Sequence, residues 1–332
     1  MAKIILSLDG GGIRGAATTQ FLSHVEARLQ KEANLSIRDC VDFYAGTSTG
    51  SIIALALATT SLNMQEINKL YSLQNAKKIF KENGGIFEWD GINSPKYETD
   101  GKKDVLRKNF GDARIGDVPT DKHVLAVSYE ITTRKPVVFK STKPDFLKVK
   151  CHDIADASSA APTYFPTVEL KDDWLIDGGV IANNPTMCAI AEAKRVWSGT
   201  TIGDLRVLSI GTGYRTRKIN GPSSQKWGAI GWFTKGHILD VLTDEVVVGY
   251  QARTILEEGT YIRVNADMKK QPGLLNPPDD AMDDISRSNI NKLRKMGDWW
   301  FSLYGADVVK FLLGQYKGLS IDSIDPDTGL PS

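Results

Sequence analysis

Two strand–turn–helix units follow each other at the start of the chain and limit what it can fold into. In the first, the apolar run Lys3–Leu8 ends at a turn of glycines, and apolar residues recur at every fourth position over residues 14–30. In the second, residues 41–45 form a candidate strand with one charged residue, Asp42, and residues 51–58 are rich in Ala, Ile and Leu. A short apolar run predicts a buried strand and a period near 3.6 predicts a helix. Because alternating strands and helices pack as a parallel sheet between helical layers, an α/β fold is expected.

Further segments continue this alternation along the chain. We expect strands over residues 124–131, 136–140, 174–176 and 205–210. We expect helices over residues 64–81, 184–197, 237–256 and 282–313. A stretch rich in glycine, asparagine, aspartate and aromatic residues predicts a long loop over residues 82–101, and long loops in small domains are often functional.

The whole chain is expected to form one domain. Its 332 residues would allow two domains by length, but the sequence has no linker, internal repeat or low-complexity tract. We therefore expect a single three-layer α/β/α domain over residues 1–332 with a mostly parallel central sheet. The core is expected from about residue 3 to about residue 300, followed by a helical C-terminal tail over residues 301–332.

The charges of the chain nearly cancel. There are 41 Lys and Arg residues against 40 Asp and Glu, a formal charge of +1, so no nucleic-acid polymer is expected as a partner. At 41% hydrophobic and 24% charged, the composition is that of a globular protein with a packed core. The cysteines, Cys40, Cys151 and Cys188, show no C-x-x-C spacing, so neither a disulfide framework nor a metal site is indicated.

The sequence also carries no strong targeting signal. No apolar run approaches the ~20 residues that cross a bilayer. The apolar run at the N-terminus is interrupted by Asp9 before a signal-peptide core of ~7 to 15 residues is complete. We therefore expect a cytoplasmic protein without a Sec signal peptide or a transmembrane segment.

A G-x-S-x-G pentapeptide joins the second predicted strand to its helix: Gly46-Thr47-Ser48-Thr49-Gly50. In this context the serine side chain is presented above the sheet on a sharp turn, and the flanking glycines relieve the crowding. Ser48 would then lie at a helix N-terminus, which favours developing negative charge. The alternative is a strand–helix loop without chemistry.

The glycine-rich turn after the first strand reads Gly10-Gly11-Gly12-Ile13-Arg14-Gly15 and satisfies the dinucleotide-binding pattern G-x-G-x-x-G. The second strand lacks the acidic residue that would hold a ribose, which weakens that interpretation. A run of backbone N–H groups without side chains can instead bind an oxyanion near Ser48. Arg14 stays open to three interpretations: a solvated residue, a brace for the loop, or a cation beside a lipid phosphate.

A serine nucleophile needs a base. The order Ser48, Asp177, His237 matches that of α/β-hydrolases, but His237 starts a predicted helix rather than ending a strand. Asp177 ends a short predicted strand, and the following Gly178-Gly179 lets the backbone turn so that the carboxylate faces the strand ends. Because an ordinary aspartate pKa of ~3.9 makes a poor base at neutral pH, a Ser–Asp dyad requires burial of Asp177.

Taken together, the glycine loop, the serine pentapeptide and the Asp-Gly-Gly turn resemble the patatin-like phospholipases, and the form without a leader resembles compact bacterial members. Six further segments are similar to plant patatins: residues 135–139, 160–166, 211–213, 226–228, 251–253 and 282–284. The resemblance implies that Ser48 is the nucleophile and Asp177 the base. It also implies that the Gly10–Gly15 loop forms the oxyanion hole, chiefly through the N–H groups of Gly11 and Gly12.

The same resemblance implies a calcium-independent lipid acyl hydrolase that needs no cofactor. Its substrate would be a phospholipid or another acyl lipid, cleaved through an acyl-enzyme, with peripheral membrane contact. Some bacterial members respond to a nucleotide signal or a protein activator, and no residue here points to either. The alternatives are an α/β-hydrolase-type esterase that uses His237 and a nucleotide-binding protein without hydrolytic activity.

Two groups of aromatic residues are open to two interpretations. Trp227, Trp232 and Phe233 lie in a glycine-rich stretch with nearby lysines, a composition suited to a membrane interface. Trp299 and Trp300 lie on the last predicted helix. Because tryptophan is usually largely buried, we expect these side chains to pack in the core.

Overall fold

One sheet of eight strands runs through the described part of the chain in the computed structural model. That part comprises residues 2–84, 94–216, 219, 221–228, 231–232, 235, 245–325 and 328–332. The strands are β1 Lys3–Leu8, β2 Phe43–Thr47, β3 His123–Glu130, β4 Lys135–Lys140, β5 Val168–Leu170, β6 Asp173–Asp177, β7 Leu205–Ile210 and β8 Tyr261–Val264.

Traced from one hydrogen-bonded neighbour to the next, the strands follow the path β5-β6-β3-β2-β1-β7-β8, and β4 pairs with β3 outside this path. The five strands β3, β2, β1, β7 and β8 are parallel to one another, whereas β4, β5 and β6 make antiparallel pairs. The sheet is therefore mixed, with a parallel centre.

Twelve α-helices lie within the described ranges. They are α1 Gly15–Ala33, α2 Ile37–Cys40, α3 Thr49–Thr59, α4 Met64–Lys69, α5 Leu73–Ile79, α6 Asp100–Phe110, α7 Cys151–Ser158, α8 Gly179–Ala182, α9 Thr186–Val196, α10 Gly221–Ser224, α11 Val246–Ile255 and α12 Arg287–Leu312. Short 3₁₀ turns occur at Gly12–Arg14, Ile115–Asp117, Pro144–Phe146 and Ile202–Asp204.

The two faces of the sheet support two separate apolar cores. Side chains alternate between the faces along each strand, so that on β1 Leu6 and Leu8 join the larger core while Ile5 joins the smaller one. The larger core packs against α1, α3 and α12, and the smaller one against α9 and α11. Helices therefore cover both faces, and the expected three-layer α/β/α fold is confirmed.

Helix boundaries differ from the predictions where capping residues decide them. The helix expected over residues 64–81 is split into α4 and α5, because the chain turns after Lys69 and the Ser72 side chain caps α5 by accepting a hydrogen bond from the N–H of Asn75. The last helix starts at Arg287 because Ser286 caps it in the same way.

The end of the chain is also less helical than expected. The last helix ends at Leu312, and the described residues beyond it contain turns and isolated bridges but no helix. The prediction of a helical tail over residues 301–332 is therefore wrong beyond residue 312. Of the helix expected over residues 237–256, the described part is Val246–Ile255, and residues 236–244 lie outside the described ranges.

The loop expected over residues 82–101 lies partly outside the described chain, since residues 85–93 do. The helix α6 takes over at Asp100. Within the described ranges, no helix combines the length and apolar character needed to cross a bilayer. The same part of the chain holds no group of three or more His, Cys, Asp or Glu side chains suited to a metal ion.

Candidate active site

Ser48 is the single residue between β2 and α3, since the strand ends at Thr47 and the helix begins at Thr49. Its φ of 53° lies in the left-handed region, a conformation that costs a non-glycine residue about 1–3 kcal/mol. The glycines on either side are required for space. A Cβ at Gly46 would lie 2.3 Å from the carbonyl oxygen of Gly50, and one at Gly50 would lie 2.1 Å from a carbonyl oxygen of β1.

The topology of the sheet brings Asp177 to the same point. Residues 125–130 of β3 pair with β4 along one edge, so β2 and β6 must both pair along the other edge. There β2 ends with Thr47 opposite Val127, and the antiparallel β6 ends with Asp177 opposite Ser128, the next residue of β3. The two strands thus meet end to end, which places Asp177 beside the residue that follows Thr47.

The carboxylate of Asp177 is buried, with 5% of the residue exposed, and its Oδ1 accepts a hydrogen bond from the N–H of Gly179 at 2.7 Å. Burial raises the pKa of Asp177 from its ordinary 3.8 to about 6. Hydrogen bonds from the Ser48 hydroxyl and the Gly179 amide, together with the positive charge of Lys102, hold that pKa below the value that burial alone would give. A carboxylate with this pKa is a stronger base than an exposed aspartate.

The C-terminal turn of α7 contacts both residues, which the sequence did not predict. The Ser158 hydroxyl accepts a hydrogen bond from the N–H of Ser48 at 3.0 Å and donates one to the carbonyl oxygen of Val127 at 2.6 Å. Two residues later, the carbonyl oxygen of Ala160 accepts the N–H of Asp177 at 3.0 Å. One short turn therefore ties the serine to the aspartate.

The glycine-rich loop lies against the serine, because a Cβ at Gly10 would lie 3.1 Å from the Cβ of Ser48. At its far end, a Cβ at Gly15 would lie 2.6 Å from Oγ1 of Thr49. Four of its six N–H groups already donate to backbone carbonyl oxygens, those of Gly10, Ile13, Arg14 and Gly15. The N–H groups of Gly11 and Gly12 find no acceptor in the described part of the chain, and they are the two donors of this loop left for an oxyanion.

Arg14 braces this loop, since its Nε donates to the carbonyl oxygen of Gly11 at 3.3 Å. Beneath the loop lies a buried ion pair that sequence reasoning missed, in which Nη1 of Arg263 is 3.0 Å from Oδ1 of Asp9. The guanidinium also lies 3.2 Å from Glu245. Burial raises the pKa of Asp9 to about 7, against the opposing effect of Arg263.

A cavity of about 160 Å³ opens beside these groups. Ser48, Asp177, Gly11 and Gly12 all contribute to its wall, together with Arg14 and Lys102. Most of the remaining wall is apolar and comes from Ile52, Leu70, Ala76, Ile79, Phe80, Val105, Leu106, Pro162, Phe165, Val180 and Met282. Such a cavity can hold a hydrocarbon chain next to the serine hydroxyl.

Histidine does not contribute to this cavity in the described part of the chain. His24 pairs with Asp298, His152 lies beside Asp153, and neither these nor His123 lines the wall. His237, the candidate base of the alternative esterase mechanism, lies outside the described residues.

The aromatic residues divide into two sets. Trp299 and Trp300 pack in the core as expected. Trp227 and Trp232 contact each other edge to face, with 5.6 Å between their ring centroids. Neither belongs to an apolar core, and Trp232 is 38% exposed. The expectation of core packing is therefore wrong for this pair, and Phe233 lies outside the described residues.

Comparison with known proteins identifies the family. A family model described as patatin-like phospholipase matches residues 6–190. The chain belongs to the patatin-like phospholipase family. Patatin-like protein 3 of Arabidopsis thaliana is 32% identical over 322 residues, which cover 80% of this chain and 74% of the relative. Patatin-like protein 2 of Oryza sativa subsp. indica is 29% identical, and the match covers 89% of this chain and 82% of the relative.

Two solved structures are also similar to this patatin-like chain. VipD from Legionella pneumophila gives a TM-score of 0.48 at 11% identity, covering 95% of this chain and 67% of VipD. The type III effector ExoU gives a TM-score of 0.38 at 12% identity, covering 95% of this chain and 53% of ExoU. Membership of the patatin-like phospholipase family supports a lipid acyl hydrolase as the general function.

Proposed function

We propose that the protein cleaves fatty-acyl esters of glycerophospholipids, as a phospholipase A or lysophospholipase, through a Ser48–Asp177 dyad. The observation that carries this proposal is that a buried carboxylate, a serine on a strained turn and two unpaired amides all line one apolar cavity. That combination suits acyl transfer, because it supplies a nucleophile, a base and oxyanion donors within a site that excludes water.

In the first half of the reaction, Asp177 accepts the hydroxyl proton as Oγ of Ser48 attacks the acyl carbonyl carbon. The carbonyl π electrons move to oxygen, and the N–H groups of Gly11 and Gly12 donate to that oxyanion. Collapse of the tetrahedral intermediate breaks the ester bond and expels the alcohol or lysophospholipid, which takes the proton from Asp177. The acyl group is left on Ser48, with its chain in the apolar cavity.

In the second half, a water molecule attacks the acyl-enzyme while Asp177 accepts its proton. The same two amides bind the second oxyanion. Its collapse releases the fatty acid, and the proton returns to Oγ of Ser48. Because only the ionised form of Asp177 can accept the proton, activity should rise as the pH passes through the pKa of about 6.

A fluorophosphonate probe tests the nucleophile directly, since a reactive serine displaces its fluoride and becomes covalently labelled. We expect labelling of the parent protein at Ser48 and none at this position in Ser48→Ala, because alanine has no oxygen to attack the phosphorus. Ser61 is an exposed serine just after α3, and Ser61→Ala is the matched control, which should be labelled like the parent. Persistent labelling of Ser48→Ala, or none of the parent, would show that the assignment is wrong.

Two further measurements separate the alternatives. His237→Ala should keep the parental labelling rate, whereas an esterase that depends on this histidine would lose it. Mass spectrometry of products from phospholipid vesicles should detect free fatty acid and lysophospholipid. A nucleotide-binding protein without hydrolytic activity would instead bind nucleotide and release neither product.

A further inference from the structure

A buried lysine lies in the wall of the same cavity. Lys102 belongs to α6, is 3% exposed, and has its Nζ 4.4 Å from the centre of the Phe165 ring. It lines the cavity together with Asp177. Charged residues are rarely buried without a defined partner, so this position calls for a physical account.

The ammonium group is fully engaged by α7 and the turn that follows it. Nζ of Lys102 lies 2.9 Å from Oδ1 of Asp156 and donates to the carbonyl oxygens of Asp156 and Ser159, each at 3.2 Å. An ammonium carries three protons, and its three hydrogen bonds are those to the two carbonyl oxygens and a longer one, at 3.5 Å, to the Ser159 hydroxyl, while Asp156 balances its charge. Lys102 is therefore a fixed cation rather than a free donor for a substrate.

The carbonyl oxygens that Lys102 binds belong to the turn that holds the two proposed catalytic residues. The residue before Ser159 accepts the N–H of Ser48, and the residue after it accepts the N–H of Asp177. The C-terminal end of a helix carries partial negative charge, which a cation stabilises. The ammonium thus fixes the turn and at the same time presents a positive charge to the carboxylate of Asp177.

We propose that Lys102 is a positioning residue for the Ser48–Asp177 dyad, which holds the end of α7 in place and supplies a positive charge that acts on the carboxylate. This inference rests on the function proposed above. The charged groups that act on Lys102 are Asp156 on α7, Asp177 on β6 and its neighbour Lys103 on α6. Lys102 is the only charged side chain that perturbs Asp177 among the described residues.

The charge of Lys102 and the burial of Asp177 act in opposite directions. Burial raises the pKa of Asp177, and the ammonium lowers it. Burial also lowers the pKa of Lys102 itself, and the ion pair with Asp156 opposes this effect. Removing the cation should therefore raise the pKa of Asp177 further, whereas a merely structural role would leave that pKa unchanged.

The test measures the rate of fluorophosphonate labelling of the full chain between pH 5 and pH 9. The labelling rate of the parent should rise with pH through a midpoint near pH 6, and this rising part of the profile is its acidic limb. In Lys102→Met we expect the midpoint of the acidic limb to move up by about one pH unit. At pH 6 the ionised fraction of Asp177 then falls from about one half to about one tenth, a roughly fivefold loss. The plateau rate at pH 8 should also fall, because the turn loses its anchor.

Three variants accompany this measurement. Lys102→Arg keeps the charge and should keep the limb at its parental pH, even if its plateau is lower. Lys103→Met removes a lysine at the next position, outside the cavity wall, and should leave both limb and plateau unchanged. The double variant Lys102→Met/Asp156→Asn avoids an uncompensated buried carboxylate and should show the raised limb even if Lys102→Met alone fails to fold.

The outcomes are distinct. If the double variant folds and its limb stays at the parental pH, the inference about Lys102 is overturned while the proposed function stands. If the parent protein is not labelled at Ser48 at any pH, the proposed function itself fails. A raised limb in the lysine-to-methionine variants, with a parental limb in Lys102→Arg, supports the positioning role.

Discussion

The buried charge on Asp177 should make the protein less stable than it would be with a neutral side chain at this position. The pKa in the folded state, about 6, lies above the ordinary value of 3.8 that applies after unfolding. The folded state therefore holds the proton to higher pH than the unfolded state does. The resulting penalty is absent below pH 3.8, grows as the pH rises, and reaches its full value above about pH 6.

The magnitude follows from the difference of about two pKa units. At 1.36 kcal/mol per unit, ionised Asp177 should lower the free energy of unfolding by about 3 kcal/mol at pH 8 and by about 1 kcal/mol at pH 4.5. Asp177→Asn removes this penalty and still offers an oxygen to the Gly179 amide.

Urea unfolding of the parent and Asp177→Asn at several pH values measures this effect. We expect the free energy of unfolding of the variant, relative to that of the parent, to rise by about 2 kcal/mol from pH 4.5 to pH 8. Labelling of the variant by a fluorophosphonate should be lost. Asp173→Asn, at the exposed start of the same strand, is the matched control and should show no such trend. A stability difference that does not change with pH would refute the reasoning.

Two further predictions concern the glycine loop and the exposed aromatic pair. Gly12→Ala places a Cβ 2.3 Å from the carbonyl oxygen of Met282, at a backbone φ of 56°. It should displace a proposed oxyanion donor and reduce the rate of fluorophosphonate labelling by ~10²–10³-fold. Circular dichroism would check that the variant keeps the fold. If Trp232 contacts lipid, Trp232→Ala should weaken co-sedimentation with phosphatidylcholine vesicles while leaving fluorophosphonate labelling unchanged, and equal co-sedimentation of both proteins would contradict a lipid contact.

Features set by neighbouring residues could be predicted from the sequence. The turn at Ser48 follows from an apolar strand, two glycines and a helix within a short segment, and the strand Leu205–Ile210 was predicted with its observed bounds. The glycine loop was recognised in the same way. The sequence could not show which N–H groups of the loop lack an acceptor. The N–H groups of Gly10 and Ile13 donate to the carbonyl oxygens of Asn183 and Met282, which lie far away along the chain.

Long-range contacts around Ser48 and Asp177 could not be predicted for the same reason. Ser158 is 110 residues from Ser48, and Lys102 is 54 residues from Asp156, so no local pattern relates either pair. One local signal was present. Lys102 occupies the apolar face of α6 together with Val105 and Leu106, at positions three and four residues later. A lysine at such a position indicates either a buried ion pair or a helix boundary.

Because β2 and β6 meet end to end along one edge of β3, the proposed pairing of Ser48 with Asp177 depends on the register of β6 against β3. A slip of β6 by one residue would turn the Asp177 side chain to the opposite face of the sheet and remove the proposed base from the site. The fraction of molecules that react with an active-site probe should therefore report the fraction folded in the correct register. Probe titration could then serve as a direct measure of refolding yield.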